Sequence, residues 1–210
     1  MYTSFIFDID GTLINTEQAI LESLQQMLKA NYDREMTPHD LTFVLGIPGA
    51  VSLRKLGIEE HDIDHAIHCW DEHMKEYQSA IHVFDGIQQL LIGLRNPSIM
   101  TGVVTSKTKE QFHNEFVPFG LAQDLQYVVC ADDTKLHKPN PEPMLKFLEL
   151  SGAQTSSSLY IGDSIYDFEC ARSAGVDFGL ALWGCKQPDA IPAKYKFEHP
   201  KDILNLLNLG

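Results

Sequence analysis

Positive charge is scarce in this sequence: 16 lysines and arginines stand against 29 aspartates and glutamates, a formal charge of −13. That deficit excludes a nucleic-acid backbone or an anionic membrane as the expected partner, because either would require a basic surface. A small anion could be held only by a local pocket of cations and hydrogen-bond donors. Cysteine is sparse as well, and Cys69, Cys130, Cys170 and Cys185 are widely spaced with no C-x-x-C. Neither a zinc knuckle nor a disulfide framework is expected, and reduced thiols fit best. Long apolar runs are missing; the stretch from Val176 to Cys185 is far too short to cross a bilayer. No basic-then-apolar leader precedes Asp8, so a cytoplasmic protein is expected. What remains is adequate core material: 210 residues, 44% of them hydrophobic, suit one domain or a core with a small insertion.

The densest chemistry lies near the start, in Phe5-Ile6-Phe7-Asp8-Ile9-Asp10-Gly11-Thr12-Leu13. The apolar run reads as a short buried strand, and it stops at two carboxylates and a glycine. In extended backbone Asp8 and Asp10 project to the same side, near enough to share a divalent cation. Gly11 lets the chain turn without a Cβ to collide with a ligand. Residues 15–80 then carry four helical patterns and no convincing strand. Ile20, Leu21, Leu24, Met27 and Leu28 mark the first, Thr37-Pro38 opens the second, Ala50 to Leu56 forms the third, and Ile63, Ala66, Ile67, Trp70 and Met74 mark the fourth. This block reads as an all-helical insertion. His65, His68 and His73 within it form no i, i+4 pair with one another, so surface histidines are expected rather than a metal site.

From residue 81 to 210 strands and helices alternate, the pattern of a parallel sheet with crossover helices. Gly102 to Ser106 reads as a strand ending in two hydroxyls, with Lys107 to Phe116 as the helix after it. Tyr127 to Cys130, Leu159 to Gly162 and Phe178 to Trp183 read as further strands, and Ile203, Leu206 and Leu207 as a C-terminal helix. Ser164 with Asp167 three residues on forms a capping-box start. Ligands of an open parallel sheet bind beyond the carboxyl ends of its strands. Four segments converge there: Asp8 with Asp10, Thr105 with Ser106, the loop bearing Lys138, and Asp163 with Asp167. Singly, each has an ordinary explanation as a cap or a solvated side chain; together and in this order they indicate a site.

Asp8-Ile9-Asp10-Gly11-Thr12-Leu13, Val103-Val104-Thr105-Ser106, Lys138-Pro139-Asn140-Pro141-Glu142 and Ile161-Gly162-Asp163-Ser164 with Asp167 resemble the four ordered motifs of the haloacid dehalogenase-like hydrolases. Within them the sequence is most similar to the phosphoglycolate phosphatase and β-phosphoglucomutase group. The resemblance implies a Rossmann-like parallel α/β core, residues 1–14 and 81–210, with an inserted helical cap, residues 15–80, as the specificity element. It implies a Mg²⁺-dependent phosphatase of a small phosphorylated metabolite, working through an aspartyl-phosphate on Asp8. Asp10 would be general acid and base, and Lys138 would neutralise Asp8 and the phosphate. Ile9, Gly11, Thr105 and Ser106 would bind the phosphoryl group. Asp8, Asp10 (through its backbone carbonyl) and Asp163 would hold Mg²⁺, with Asp167 supporting that shell.

Arg54 and Lys55, after the loop Gly46-Ile47-Pro48-Gly49, are candidate substrate contacts in the insertion. They would suit a second anionic group, which keeps inorganic pyrophosphatase activity open. A β-phosphoglucomutase-like sugar phosphomutase is disfavoured, since that subgroup carries Glu-Asp where this chain has Gly162-Asp163. A non-enzymatic phospho-acceptor regulator, like a response-regulator receiver, has no need of a helical lid and would place its acceptor later than the first strand.

Overall fold

The structure, a computed structural model, describes residues 1–208. Residues 209–210, which the sequence reading assigns to the core, lie outside the described residues. The chain divides into two compact units, Met1–Ile14 with the chain from Val83 onward, and Asn15–His82. β1 (Ser4–Phe7) opens the first unit, and the chain passes between the units through β2 (Ile14–Asn15) and β3 (His82–Val83), which form a separate two-stranded sheet.

The helical unit contains α1 (Glu17–Tyr32), a 3₁₀ segment Pro38–Val44, α2 (Gly49–Lys55) and α3 (Ile63–Glu76). Leu24, Leu28, Leu41, Leu53 and Ala66 are fully buried between these elements. Each leucine so enclosed contributes about 1.5–3 kcal/mol. The helix expected after Thr37-Pro38 is 3₁₀ rather than α. Thr37 and Asp40 cap each other reciprocally, and the segment ends within seven residues.

The α/β unit continues with α4 (Ile87–Gly93), β4 (Met100–Val104), α5 (Lys109–Gln111), β5 (Tyr127–Val129), α6 (Glu142–Ser151), β6 (Ser158–Gly162), α7 (Ile165–Ala174), β7 (Asp177–Ala181) and β8 (Tyr195–Phe197). Its six-stranded sheet runs β5-β4-β1-β6-β7-β8 with parallel pairing at each junction. β1 and β6 lie centrally and are buried along their whole length, as expected of strands covered on both faces. Phe147 of α6 lies against Gly102 of β4, where a Cβ would come within 2.3 Å of its ring.

Three sequence expectations change here. β4 ends at Val104, and Thr105 and Ser106 stand beyond it, because the Thr105 hydroxyl accepts from the Lys107 N–H (3.2 Å) and turns the chain. The helix drawn from Lys107 to Phe116 begins at Lys109 behind a Thr108 capping box, then widens into a π turn over Phe112–Phe116. The C-terminal segment Pro200–Asn208 is 3₁₀. β8 has no counterpart in the sequence reading; three residues on a sheet edge are too short to show a period. Among the described residues, no helix is long and apolar enough to cross a membrane.

Candidate active site

The register of the sheet brings the chemistry-bearing residues together. Phe7 pairs with Ile161 on one side and Val103 on the other, and the Asp8 N–H extends the ladder to Ile161 O at 2.8 Å. Asp8 therefore emerges beside Gly162-Asp163, with Thr105 two residues past the partner on β4. Gly11 has φ +78°, and a Cβ there would meet Asp163 Oδ2 at 2.3 Å, so only glycine lets the loop after β1 approach Asp163. Thr12 Oγ1 donates to Asp163 Oδ1 (3.1 Å), and Trp183 Nε1 donates to Thr12 O (2.9 Å), which ties the loop after β7 to the loop after β1.

Lys138 sits at the centre of this cluster and is almost wholly enclosed. Its Nζ donates to Asp167 Oδ1 (2.7 Å) and Tyr160 OH (3.2 Å) and lies at ion-pair distance, 2.9 Å, from Asp8 Oδ1. The Tyr160 hydroxyl also lies 2.8 Å from Val104 O and 2.9 Å from Asp167 Oδ1. The other Asp167 oxygen accepts from Ser164 N (3.1 Å) and Ser164 Oγ (2.5 Å). Asp167 is thus fully committed to protein partners. Asp8 is not: the Lys138 approach to Oδ1 meets ion-pair distance without hydrogen-bond alignment, and Oδ2 is buried with no hydrogen-bond partner among the described residues.

Asp8, Asp163 and Asp167 have ligand atoms within 4.8 Å of one another, and the Lys138 ammonium pairs with two of them, Asp8 and Asp167. Burial pushes the Asp8 carboxyl up to about 7; Lys138 opposes this, while Asp167 and Asp10 add to it. Asp163 is likewise raised, by burial first and then by Asp167 and Asp8. Burial works against the Lys138 charge, but Asp167 and Asp8 outweigh it and hold the lysine protonated. The consequence for stability has a definite sign. A neutral Asp8 stabilises the folded state fully below the unfolded value near 4, and this is lost as pH rises through about 7. In EDTA, the urea midpoint is expected to fall between pH 5 and pH 8; a flat or rising midpoint over that window would contradict the burial of Asp8.

Asp10 stands apart from the cluster of three. Its Oδ1 lies 3.1 Å from Nζ of Lys107, which also meets Glu115 Oε2 at 2.5 Å. The Asp10 side chain, which alternation along an extended strand would let share a cation with Asp8, is paired with a lysine, and that pairing leaves its backbone carbonyl untouched. Lys107 is buried, and although burial disfavours its charge, Asp10 and Glu115 outweigh that and raise its pKa. Of the expected phosphoryl-binding groups, Thr105 is buried and its hydroxyl accepts from Lys107 N, and Ser106 is half-buried beside it. The Ile9 carbonyl receives the N–H groups of Thr12, Leu13 and Ile14, and the Gly11 N–H donates to Ile14 O at 2.9 Å. Gly11 thus lets the loop approach Asp163 closely, with its own N–H spent within that loop. Arg54 and Lys55 end α2 in the helical unit, where the Arg54 guanidinium makes two hydrogen bonds to Glu60 (2.7 and 2.6 Å).

Lys107, Glu115, Tyr160, Thr12 and Trp183 are the participants that sequence reading passed over. Tyr160 carried a usable signal, because a hydroxyl inside a strand buried on both faces must find a partner. Lys107 carried another, as one of few cations and the first residue after the Thr-Ser pair at a strand end. Glu115 and Trp183 carried none, since their partners are distant in sequence.

Residues 5–181 match the family model of the haloacid dehalogenase-like hydrolases. A protein of Caldanaerobacter subterraneus subsp. tengcongensis provisionally named pyrophosphatase PpaX is 30% identical over 182 residues, 86% of this chain and 82% of its own length. The pyrophosphatase PpaX of Oceanobacillus iheyensis is 26% identical over 208 residues, 97% of this chain and 96% of its own. Among solved structures, a Lactobacillus plantarum protein provisionally named a phosphoglycolate phosphatase superposes with a TM-score of 0.88 at 30% identity, covering 98% of this chain and 99% of its own.

Proposed function

The chain belongs to the haloacid dehalogenase-like hydrolases, and on that premise we propose that it is a Mg²⁺-dependent phosphatase of a small phosphorylated metabolite, with Asp8 as nucleophile. The observation that carries this reading is Asp8 itself: a buried carboxylate at the mouth of the central strand, beside Lys138, with Oδ2 unpartnered. A structural carboxylate so enclosed would be satisfied by donors. This one has an oxygen to which no donor is directed.

Asp8 attacks phosphorus, the bond to the leaving oxygen breaks, and the proton of the Asp10 carboxyl passes to that oxygen. Water then attacks the aspartyl-phosphate and returns a proton to Asp10, releasing Asp8 and inorganic phosphate. Lys138 offsets the like-charge repulsion between Asp8 and the phosphoryl group, and Thr105 and Ser106 supply donors to its oxygens. The donor set fits a hard divalent cation, because three carboxylates have ligand atoms within 4.8 Å of one another, the ammonium pairs with two of them, and Oδ2 of Asp8 lacks a donor. Asp8 and Asp163 would hold the ion, and Asp167, through Lys138 and Ser164, keeps the surrounding groups in place. Magnesium supplies charge neutralisation for an anionic nucleophile meeting an anionic substrate.

The helical unit enters the chain five residues after Asp10, which supports it as the element selecting the leaving group. Phosphoglycolate and pyrophosphate are the first substrates to try, since relatives bear those names. A mutase is disfavoured on steric grounds: a Cβ at position 162 would lie 2.6 Å from Asp167 Cβ and Cγ, so the acidic residue of that subgroup does not fit this backbone. The test is phosphate release from phosphoglycolate, hexose phosphates, nucleotides and pyrophosphate, with Mg²⁺ and then with EDTA. Turnover on at least one member that stops in EDTA is expected. Absence of turnover across the panel, with stable phosphorylation of Asp8, would replace the phosphatase with a phospho-acceptor.

A further inference from the structure

Two buried charged groups have no part in the chemistry above. Lys107 and Glu115 side chains are 6% and 9% exposed, and with Asp10 they form a chain of ion pairs, 3.1 Å from Lys107 Nζ to Asp10 Oδ1 and 2.5 Å to Glu115 Oε2. Stability does not account for them, because a buried ion pair gains little over apolar residues of similar size. The backbone fixes Lys107 twice, its N–H donating to Thr105 Oγ1 (3.2 Å) and its carbonyl accepting from Ala131 N (2.8 Å). Glu115 lies in the π turn Phe112–Phe116, and π turns recur at functional sites, where the extra residue redirects side chains. Both ends of the lysine are therefore set by the fold, and its ammonium is aimed at Asp10.

We infer that Lys107, held by Glu115, is a positioning residue for Asp10, fixing the plane of its carboxyl for proton transfer to the leaving oxygen. This rests on Asp10 being the acid and base. Misplacement of a proton donor by a fraction of an ångström is enough to weaken transfer, because the donor must lie within about 2.6–3.2 Å of the oxygen it serves. Electrons and atoms balance without help from the lysine: the P–O bond breaks, its electron pair goes to the leaving oxygen, and the proton comes from Asp10. Lys107 neither gives nor takes a proton. A leaving group that departs readily as an anion needs little protonation, whereas an alkoxide needs it fully.

The experiment is rapid-quench measurement of Asp8 phosphorylation by an aryl phosphate, p-nitrophenyl phosphate, and by an alkyl phosphate, phosphoglycolate, with Mg²⁺. Wild type, Asp10→Asn, Lys107→Met and Glu115→Gln are compared. Lys107→Met is expected to slow phosphorylation by the alkyl phosphate about 10²-fold while changing the aryl phosphate by less than about fivefold. Glu115→Gln should shift the same ratio in the same direction by about tenfold at most. If Lys107→Met melts below the assay temperature, the double variant Lys107→Met/Glu115→Leu removes both buried charges and must show the same ratio. Equal slowing of both substrates, or no change, while Asp10→Asn retains the leaving-group dependence, overturns the positioning role alone. Loss of that dependence in Asp10→Asn would instead remove the reading on which it rests.

Discussion

Asp8→Asn leaves no phosphate release above background, a loss on the order of 10⁴-fold or more, as expected when a covalent nucleophile is removed. An amide at this position is nearly the same size and keeps the Asp8 N–H in the ladder to Ile161 O. It lacks the charge and lone-pair availability that attack on phosphorus requires. The fold is expected to survive, because the cluster loses one of three carboxylates while Lys138 keeps Asp167 and Tyr160. Acid-quenched phosphoenzyme, formed by wild type with a labelled substrate, should be absent in the variant at equal melting temperature. A phosphorylated Asp8→Asn protein would place the nucleophile elsewhere and undo the mechanism.

Lys138→Met should fail in two ways at once. Without the ammonium, Asp8 and Asp167 face each other in a dry pocket, and Tyr160 loses one of its partners. Breaking a buried pair by removing one member costs about 3–5 kcal/mol, because the remaining charge is left uncompensated. The deficit has a pH dependence of known sign. Protonation of the carboxyls relieves it, so the gap between variant and wild type should be small at pH 5 and widen at pH 8 in EDTA. Millimolar Mg²⁺ should narrow the gap at pH 8, since a cation held by Asp8 and Asp163 partly replaces the missing charge. Turnover should still fall about 10³-fold with Mg²⁺ present, because the ammonium also faces the phosphoryl group in the transition state. Urea denaturation at the two pH values checks the first effect and kcat the second. A variant as stable as wild type at pH 8 would mean that the ion pairs to Asp8 and Asp167 do not form.

Much of this architecture is legible in the order of residues. Phe5-Ile6-Phe7 is buried as the central strand, and Asp8 follows where the strand stops. Ser164 and Asp167 form the capping box that their spacing announces, with hydrogen bonds in both directions. Thr37 caps the segment that Thr37-Pro38 is expected to open, although that segment is 3₁₀. These features succeed because they are local: a cap, a turn or an apolar run is decided within a few residues. The spans that misread are also instructive. The stretch from Lys107 to Phe116 has helical composition, but Lys107 is drawn out of it by Thr105 and Ala131, and the π turn follows from packing that no window of ten residues contains.

The family, the parallel α/β core and the identity of the residues at the strand ends follow from short-range pattern and from the order of motifs. How those residues share their charge is a property of the folded chain alone. The fold sets Lys138 against Asp8, Asp167 and Tyr160, pairs the Asp10 side chain with Lys107, which Glu115 also holds, and spends the Gly11 N–H within its own loop. Ion pairing in a buried site is a competition among groups brought together from distant parts of the chain. Its outcome is set by ångström differences in approach and by the exclusion of water, neither of which is written in the order of the residues.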